Sequence, residues 1–77
     1  MAHEPPVHEL KEGGVTAAIW AREGRSGRFY QASFARLFKD HETGEWRDSQ
    51  NFGERDLENV ALLASQAYAW IQANKTS

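Results

Sequence analysis

Two hydrophobic periodicities divide the chain: alternation in its first part, and a three-to-four spacing in its last third. From Phe52 to Asn74 the second spacing predicts one long amphipathic helix. The predicted centre of its apolar stripe consists of Leu57, Val60, Ala64, Ala67 and Ile71. Leu63 and Trp70 flank one side of that stripe, and Ala61 and Tyr68 flank the other. Because alanine at the centre lets a helix lie close to a flat surface, the pattern favours a helix packed on a sheet.

The start of the helix has two alternative caps, and one apolar side chain lies outside its stripe. Asn51 with Glu54, or Gly53 with Asp56, has the three-residue spacing of a capping box. Leu62 lies beyond the stripe. A single exposed leucine needs no explanation, but the same residue is also a candidate contact with another subunit.

The region before the helix has the period of two that is typical of strands. The predicted strands are Val7–Glu12, whose membership of the sheet stays open, Val15–Arg22, Arg28–Lys39 and Glu45–Asn51. Turns are predicted at Gly13-Gly14, over Glu23–Gly27 and over Lys39–Gly44. The predicted class is α+β: an antiparallel meander of three or four strands, followed by one C-terminal helix on one sheet face.

The second hairpin has a register that would align favourable cross-strand pairs. Phe38 opposite Trp46 pairs two aromatic rings, and Arg36 opposite Asp48 then pairs two charges on the same face. The first hairpin indicates that both faces of the sheet carry large apolar groups, since Ile19 and Trp20 point to opposite sides. Which face the helix covers is left open by the sequence.

That distribution of aromatic residues is the main functional signal. One helix covers one face of a sheet, so the rings on the other face need a second body to shield them from water. At 77 residues and 12% aromatic content, the chain is one small domain that self-association would stabilise. We therefore predict a disordered arm over residues 1–6, a single domain over residues 7–77, and a homodimer as the expected assembly.

Charge weakly disfavours a nucleic acid as the partner. The net charge is −2, yet Val15–Lys39 carries five basic residues and one acidic residue. The leading hypothesis is a non-enzymatic oligomeric module that binds a partner through its sheet face. The alternative is single-stranded nucleic-acid binding, in which bases stack on aromatic rings and cations contact phosphates. The candidate residues for either partner are Trp20, Arg22, Arg28, Tyr30, Phe34, Arg36, Phe38, Trp46 and Arg47.

Catalytic, metal and membrane functions have little support in the sequence. There is no cysteine, hence no disulfide and no thiolate zinc site. His3 would complete an amino-terminal copper or nickel site only if the initiator methionine stayed. His41 has no evident orienting partner for a nucleophile such as Ser33 or Ser49. No cofactor is expected. No stretch has the length of a membrane span or the form of a signal peptide, so a cytoplasmic protein is the expectation, and the sequence is compatible with a bacterial cytoplasm.

The spaced aromatic residues also carry a resemblance. The matching segments are Ile19-Trp20, Tyr30, Phe34–Asp40, Gly44-Glu45-Trp46, Ser49–Phe52, Asp56-Leu57 and Trp70-Ile71. Over roughly residues 15–71 they resemble a family of small uncharacterised bacterial proteins, and this resemblance implies no activity. At the level of element order alone, the chain is similar to Whirly and positive-cofactor-four proteins. That similarity implies a dimer binding single strands on a sheet, but fold analogy does not fix function.

Overall fold

A computed structural model describes residues 5–75 and confirms the α+β class. The elements in chain order are β1 (His8–Glu12), β2 (Val15–Gly24), β3 (Gly27–Lys39), β4 (Trp46–Ser49) and α1 (Glu54–Asn74). The four strands form one antiparallel sheet in the order β1-β2-β3-β4, and α1 packs against it. The first strand therefore does join the sheet. The predicted arm falls mainly on residues 1–4, which lie outside the described residues, as does the candidate metal ligand His3.

The core is small and lies between β2 and the middle of α1. Val15, Ala17 and Ile19 are completely buried, and so is Leu63, while Ala67 is 2% exposed. The helix thus covers the Ile19 face of the sheet. The three β2 residues alternate along their strand, so they form one ridge beneath the helix. Two of the five are alanines, which allows the close approach that the sequence indicated.

The helix is rotated relative to the predicted stripe. Leu63 and Ala67 are its buried residues, whereas Leu57 is 54% exposed and Ala64 is exposed as well. Of the predicted centre, Val60, Ala67 and Ile71 are buried or partly buried, so the prediction is confirmed for these three and wrong for Leu57 and Ala64. The helix packs on β1, β2 and part of β3. This contact area is narrow, so the helix buries only part of its wide apolar arc. The buried side is therefore shifted from the predicted centre towards the flank that carries Leu63 and Trp70.

The predicted register of the second hairpin was also wrong, by one residue. Phe38 pairs with Arg47, and Trp46 pairs with Lys39. Arg36 lies opposite Ser49 rather than Asp48. Successive strand residues point to opposite faces, so this shift moves Trp46 to the face away from the helix. The loop sets this register. The Asp40 N–H donates to the Glu45 carbonyl at 2.8 Å, so the next residues along the two strands, Lys39 and Trp46, lie opposite each other.

Of the two alternative caps, Gly53 is the one that starts the helix. Its backbone N–H donates to Oδ2 of Asp56 at 3.2 Å. The same carboxylate lies 3.5 Å from Nε of Arg36 on β3. Asp56 therefore links the first turn of the helix to the sheet. Over the described part of the chain, no helix is long and apolar enough to cross a membrane.

The turn between β1 and β2 requires glycine at its first position only. Gly13 has φ of +60°, and a Cβ there would lie 2.7 Å from Nδ2 of Asn59. We expect Gly13→Ala to lower the free energy of unfolding by about 1 to 2 kcal/mol, because a left-handed conformation is costly for a residue with a Cβ. Urea unfolding followed by circular dichroism measures this loss.

The adjacent glycine supplies the control for that prediction. A Cβ on Gly14 would meet its nearest atom, the Leu37 carbonyl oxygen, at an ordinary 3.6 Å. Gly14→Ala should change stability by less than about 0.5 kcal/mol. Equal losses in the two variants would contradict the assigned turn conformation.

Candidate functional site

The sheet face opposite the helix is not covered by any described part of the chain. We call this surface the open face. Its apolar side chains follow from strand alternation and register, and they are Val7, Trp20, Phe29, Leu37 and Trp46. Phe29 and Leu37 are each 44% exposed, and Trp46 is 68% exposed. Large apolar side chains that share one exposed face are typical of an interaction surface.

Small residues separate the apolar side chains at the two ends of the open face. Trp20 and Phe29 lie towards the β2–β3 turn, and Leu37 and Trp46 lie towards the β3–β4 loop. Between them lie Thr16, Ala18, Ser33 and Ala35, which pair across β2 and β3. The indole Nε1 of Trp20 donates to Oγ of Ser33 at 2.9 Å, so this ring lies along the sheet and is half-buried. The open face is therefore shallow, and its centre lies lower than its two apolar ends.

A depression of about 240 Å³ occupies part of the centre of the open face. Its lining residues are Glu9, Lys11, Thr16, Ala35, Leu37 and Asp48. Two carboxylates and one ammonium therefore surround an apolar and hydroxyl floor. Such mixed charge suits a polypeptide, which carries groups of both signs. It suits the uniformly negative backbone of a nucleic acid less well.

The structure divides the candidate residues between two faces. Trp20, Arg22 and Trp46 belong to the open face. The remaining candidates lie on the side of the helix, and they are Arg28, Tyr30, Phe34, Arg36, Phe38 and Arg47. The two groups therefore do not form one surface. Leu62 is 44% exposed on the helix.

The aromatic candidates on the helix side already have partners within the chain. Tyr30 contacts the ring of Trp70 edge-on, with centroids 5.7 Å apart. Phe34 packs against the buried cluster of Val15, Ala17 and Leu63. The guanidinium of Arg36 lies 5.3 Å from the Phe38 ring centroid. Tyr30 and Phe34 thus contribute to packing around the core.

Three of the candidate arginines form ion pairs. Arg47 Nε lies 3.0 Å from Oδ2 of Asp40, and Arg36 pairs with the Asp56 cap already described. Arg36 Nε also donates to the Asn51 carbonyl at 3.1 Å. Arg28 and Glu23 are 3.4 Å apart, but both side chains are largely exposed, so this pair contributes little to stability. Arg22 differs, since its guanidinium lies 5.3 Å from the centroid of the Trp20 ring on the open face.

Phe29 and Leu37 are open-face residues that the sequence-based choice of candidates missed. Both alternate with the chosen candidates along β3, so they point to the face of Trp20 rather than that of Tyr30. Alternation along β2 and β3 is visible in the sequence, and a hairpin register that pairs Arg22 with Phe29 places Phe29 on the same face as Trp20. The choice favoured the strand face with more rings, which proved to be the face towards the helix.

A second cavity, of about 320 Å³, lies at the carboxyl end of the helix. Its lining residues are Arg28, Phe29, Tyr30, Ile71, Asn74 and Lys75. Two cations and a side-chain amide line it. The described residues place no further group there that would indicate a particular ligand.

The loop between β3 and β4 carries Asp40, Glu42 and Glu45, and Asp40 has a structural role in it. Asp40 Oδ1 accepts the Glu42 N–H at 2.9 Å while its other oxygen pairs with Arg47. The Ser49 hydroxyl bonds to the backbone of Asn51, and His41 is exposed. Within residues 5–75, no group of three or more histidine, aspartate or glutamate side chains is placed to hold a metal ion.

Comparison of the chain with protein-family models, with curated proteins and with solved structures gave no significant match. The resemblance to small bacterial proteins, and the similarity in element order to Whirly and positive-cofactor-four proteins, therefore stay predictions.

Proposed function

We propose that this protein is a non-enzymatic, self-associating interaction module of the cytoplasm that binds another polypeptide through its open face. One observation carries the proposal: the helix shields one face of the sheet, and the other face exposes Phe29, Leu37 and Trp46. A small domain gains nothing from leaving such side chains in water. Covering them would contribute roughly 25 cal/mol for each Å² of apolar surface removed from water.

The polar groups of the open face support a polypeptide as the partner. Glu9, Lys11 and Asp48 surround the central depression, so both signs of charge are available within one small area. Charged groups at the rim of an apolar interface fix its register and exclude wrong partners more than they add affinity. Trp46 and Leu37 would then supply the apolar contacts that dominate binding energy.

The test compares two leucines with the same exposure. Leu37 on the open face and Leu62 on the helix are each 44% exposed. The wild type, Leu37→Ser, Trp46→Ser and Leu62→Ser are immobilised and exposed to an extract of the source cells, and the retained proteins are quantified by mass spectrometry. We expect the same proteins to be lost from both open-face variants, at least tenfold, and kept by Leu62→Ser.

Two controls complete that experiment. Circular dichroism of each variant must match the wild type, since all three positions are exposed and their substitution should change stability by less than about 0.5 kcal/mol. If the three variants retain the same proteins as the wild type, the open face is not the binding surface.

Single-stranded nucleic acid is the second candidate partner. The β2–β3 hairpin favours it, because every residue from Arg22 to Phe29 is exposed and Arg22, Arg25 and Arg28 extend along it. Arg22 also lies over the Trp20 ring, next to which a base could stack.

Fluorescence polarisation with labelled oligodeoxythymidylate distinguishes the two candidates. A nucleic-acid function requires binding at low salt that weakens steeply as salt is added, and that is lost in Trp20→Ala. The polypeptide proposal expects no binding of this probe even at low salt. Salt-dependent binding with loss in Trp20→Ala would therefore replace the first candidate by the second.

A further inference from the structure

One edge of the sheet is unpaired in the middle of the longest strand. β3 pairs with β2 from Gly27 to Arg36, but on its other side β4 pairs only with Arg36–Lys39. In the part of the chain that the structure describes, no strand lies beside the outer edge of β3 between Gly27 and Ala35. We call this segment the free β3 edge.

The backbone groups that point outward from this edge can be assigned from strand geometry. In an antiparallel sheet, alternate residues direct their N–H and C=O groups to one neighbouring strand and then to the other. The Leu37 N–H donates to the Gly14 carbonyl at 3.0 Å, so the odd-numbered residues of β3 face the β2 side. The even-numbered residues face outward, and within the free edge they are Arg28, Tyr30, Ala32 and Phe34. Their backbone groups make no hydrogen bond outside the strand ladders.

Elsewhere in the described sheet the unpaired edges are the outer sides of β1 and β4 and the short, charged end of β2 over residues 21–24, and these are protected, whereas the free β3 edge is not. β1 has five residues, three of which are charged, and β4 has four residues, including Arg47 and Asp48. Short strands and charged side chains are the usual protection of a sheet edge against pairing with another chain. From Phe29 to Ala35, β3 has neither a charged residue nor a proline. The edge therefore has the features of a strand that pairs with another strand.

We propose that the free β3 edge binds the same edge of a second copy of this chain, antiparallel about a two-fold axis near Gln31. Such a dimer supplies the self-association in the proposed function and is independent of the open-face partner. Pairing about Gln31 brings Tyr30 opposite Ala32 of the second copy, and Phe29 opposite Ser33 of the second copy. Each large side chain thus faces a small one, which makes the edge complementary to itself.

The helix gives a second reason to choose a copy of this chain as the occupant. Asn59 lies over the β1–β2 turn at Gly13, which places the Asn59 flank of the helix on the β1 side. The opposite flank of the helix therefore faces the β3 side. That flank is apolar and exposed, and it consists of Leu57, Ala61, Ala64 and Tyr68, of which Tyr68 is 66% exposed.

The dimer would bring two such flanks together over the sheet. Each helix lies over β1, β2 and part of β3, centred near β2, and the two β2 strands would be three strand spacings apart, or about 14 Å. Packed helix axes are usually about 8–10 Å apart, so long side chains such as Tyr68 and Leu57 would fill the remaining gap. A foreign strand without a helix would satisfy the edge but leave these flanks exposed. The second copy accounts for both surfaces.

Solution mass tests the dimer with a matched pair of substitutions. Ala32→Lys places a charge in the centre of the free edge, and Ala69→Lys makes the same change at an exposed helix position away from it. By light scattering, we expect the wild type and Ala69→Lys at twice the chain mass of 8.7 kDa. Ala32→Lys should be monomeric with an unchanged circular dichroism spectrum. A monomeric wild type at about 100 µM, or a dimeric Ala32→Lys variant, would overturn the proposal.

Cross-linking tests the register, and it remains informative if Ala32→Lys fails to fold. The chain has no cysteine, so each substitution introduces a unique thiol. Residues at Gln31 would meet as a non-hydrogen-bonded pair with Cα atoms about 4.5 Å apart, which permits a disulfide. We expect Gln31→Cys to form a covalent dimer on mild oxidation, whereas Ser33→Cys, displaced along the strand, should not. Absence of covalent dimer in Gln31→Cys would contradict the axis. Because residue 31 takes no part in the Leu37 and Trp46 test, failure here leaves the open-face proposal standing.

Discussion

Leu63→Ala should lower the free energy of unfolding by about 3.5 kcal/mol, the middle of the range for a buried leucine cut to alanine. Leu63 is completely buried and packs with Val15 and Ala17, around which Leu10, Phe34, Phe52 and Val60 gather. The cavity would lie where the helix meets the sheet, and few neighbours could move to fill it. A domain of this size has a total stability of about 4–12 kcal/mol. The loss is therefore a large share of the total.

The neighbouring leucine is the natural control for that substitution. Leu62 is 44% exposed, so Leu62→Ala should change the free energy of unfolding by less than about 0.5 kcal/mol. Urea unfolding at one fixed protein concentration measures both, because self-association would make stability depend on concentration. If Leu62→Ala cost as much as Leu63→Ala, the helix would be oriented differently from the structure.

Trp70→Ala should have the second largest effect, about 3 kcal/mol. The Trp70 ring stacks on His8, with centroids 5.0 Å apart and planes 10° apart, and contacts Tyr30 edge-on. It thus joins the last turns of the helix to two strands. Each aromatic contact is worth about 0.5 to 1.5 kcal/mol beyond the area buried. The ring is only partly buried, so the cost lies near the lower end of the range for large aromatic truncations.

Trp46→Ala is the matched control, because it removes the same side chain from an exposed position. Trp46 is 68% exposed on the open face, so Trp46→Ala should leave the unfolding midpoint almost unchanged. Guanidinium unfolding followed by far-ultraviolet circular dichroism compares the two variants without relying on tryptophan emission. A large loss of stability in Trp46→Ala would mean that its ring is covered within a single chain, and it would remove the main reason to place a partner on the open face.

The class and the order of elements could be predicted because each depends on local patterns. Alternation in Val15–Arg22 and Arg28–Lys39, and helical spacing after Phe52, required no knowledge of distant contacts. The elements end within about two residues of the predicted positions. Turn glycines such as Gly13 and Gly44 were visible for the same reason, since positive φ is a local requirement.

The register of the second hairpin could not be obtained from the same patterns. Two registers one residue apart were both plausible, and the aromatic pair Phe38–Trp46 favoured the wrong one. The loop decided between them: Asp40 accepts the Gly44 N–H at its carbonyl, and Gly44 takes φ of +74°. Loop geometry of this kind outweighs one favourable side-chain pair, and a single-residue shift reverses the face of every side chain on β4.

The composition of the candidate surface depended on that register and on the position of the helix. The sequence indicated correctly that Ile19 and Trp20 face opposite sides, but it did not show which side the helix covers. The helix covers the ridge of Val15, Ala17 and Ile19 and has an alanine, Ala67, at a buried position. These residues permit close packing, which explains why the helix lies on this face. Once that face was covered, Tyr30 and Phe34 became packing residues, and Phe29 and Leu37 became the exposed ones.

The small number of fully buried side chains also has a calorimetric consequence. Five described residues form the core, and the molecule is only 16 Å thick along its shortest axis. The heat-capacity increment of unfolding grows with the apolar area that becomes hydrated. Here that increment should be below the average for a chain of this length. The curve of stability against temperature should then be flatter than average for this length.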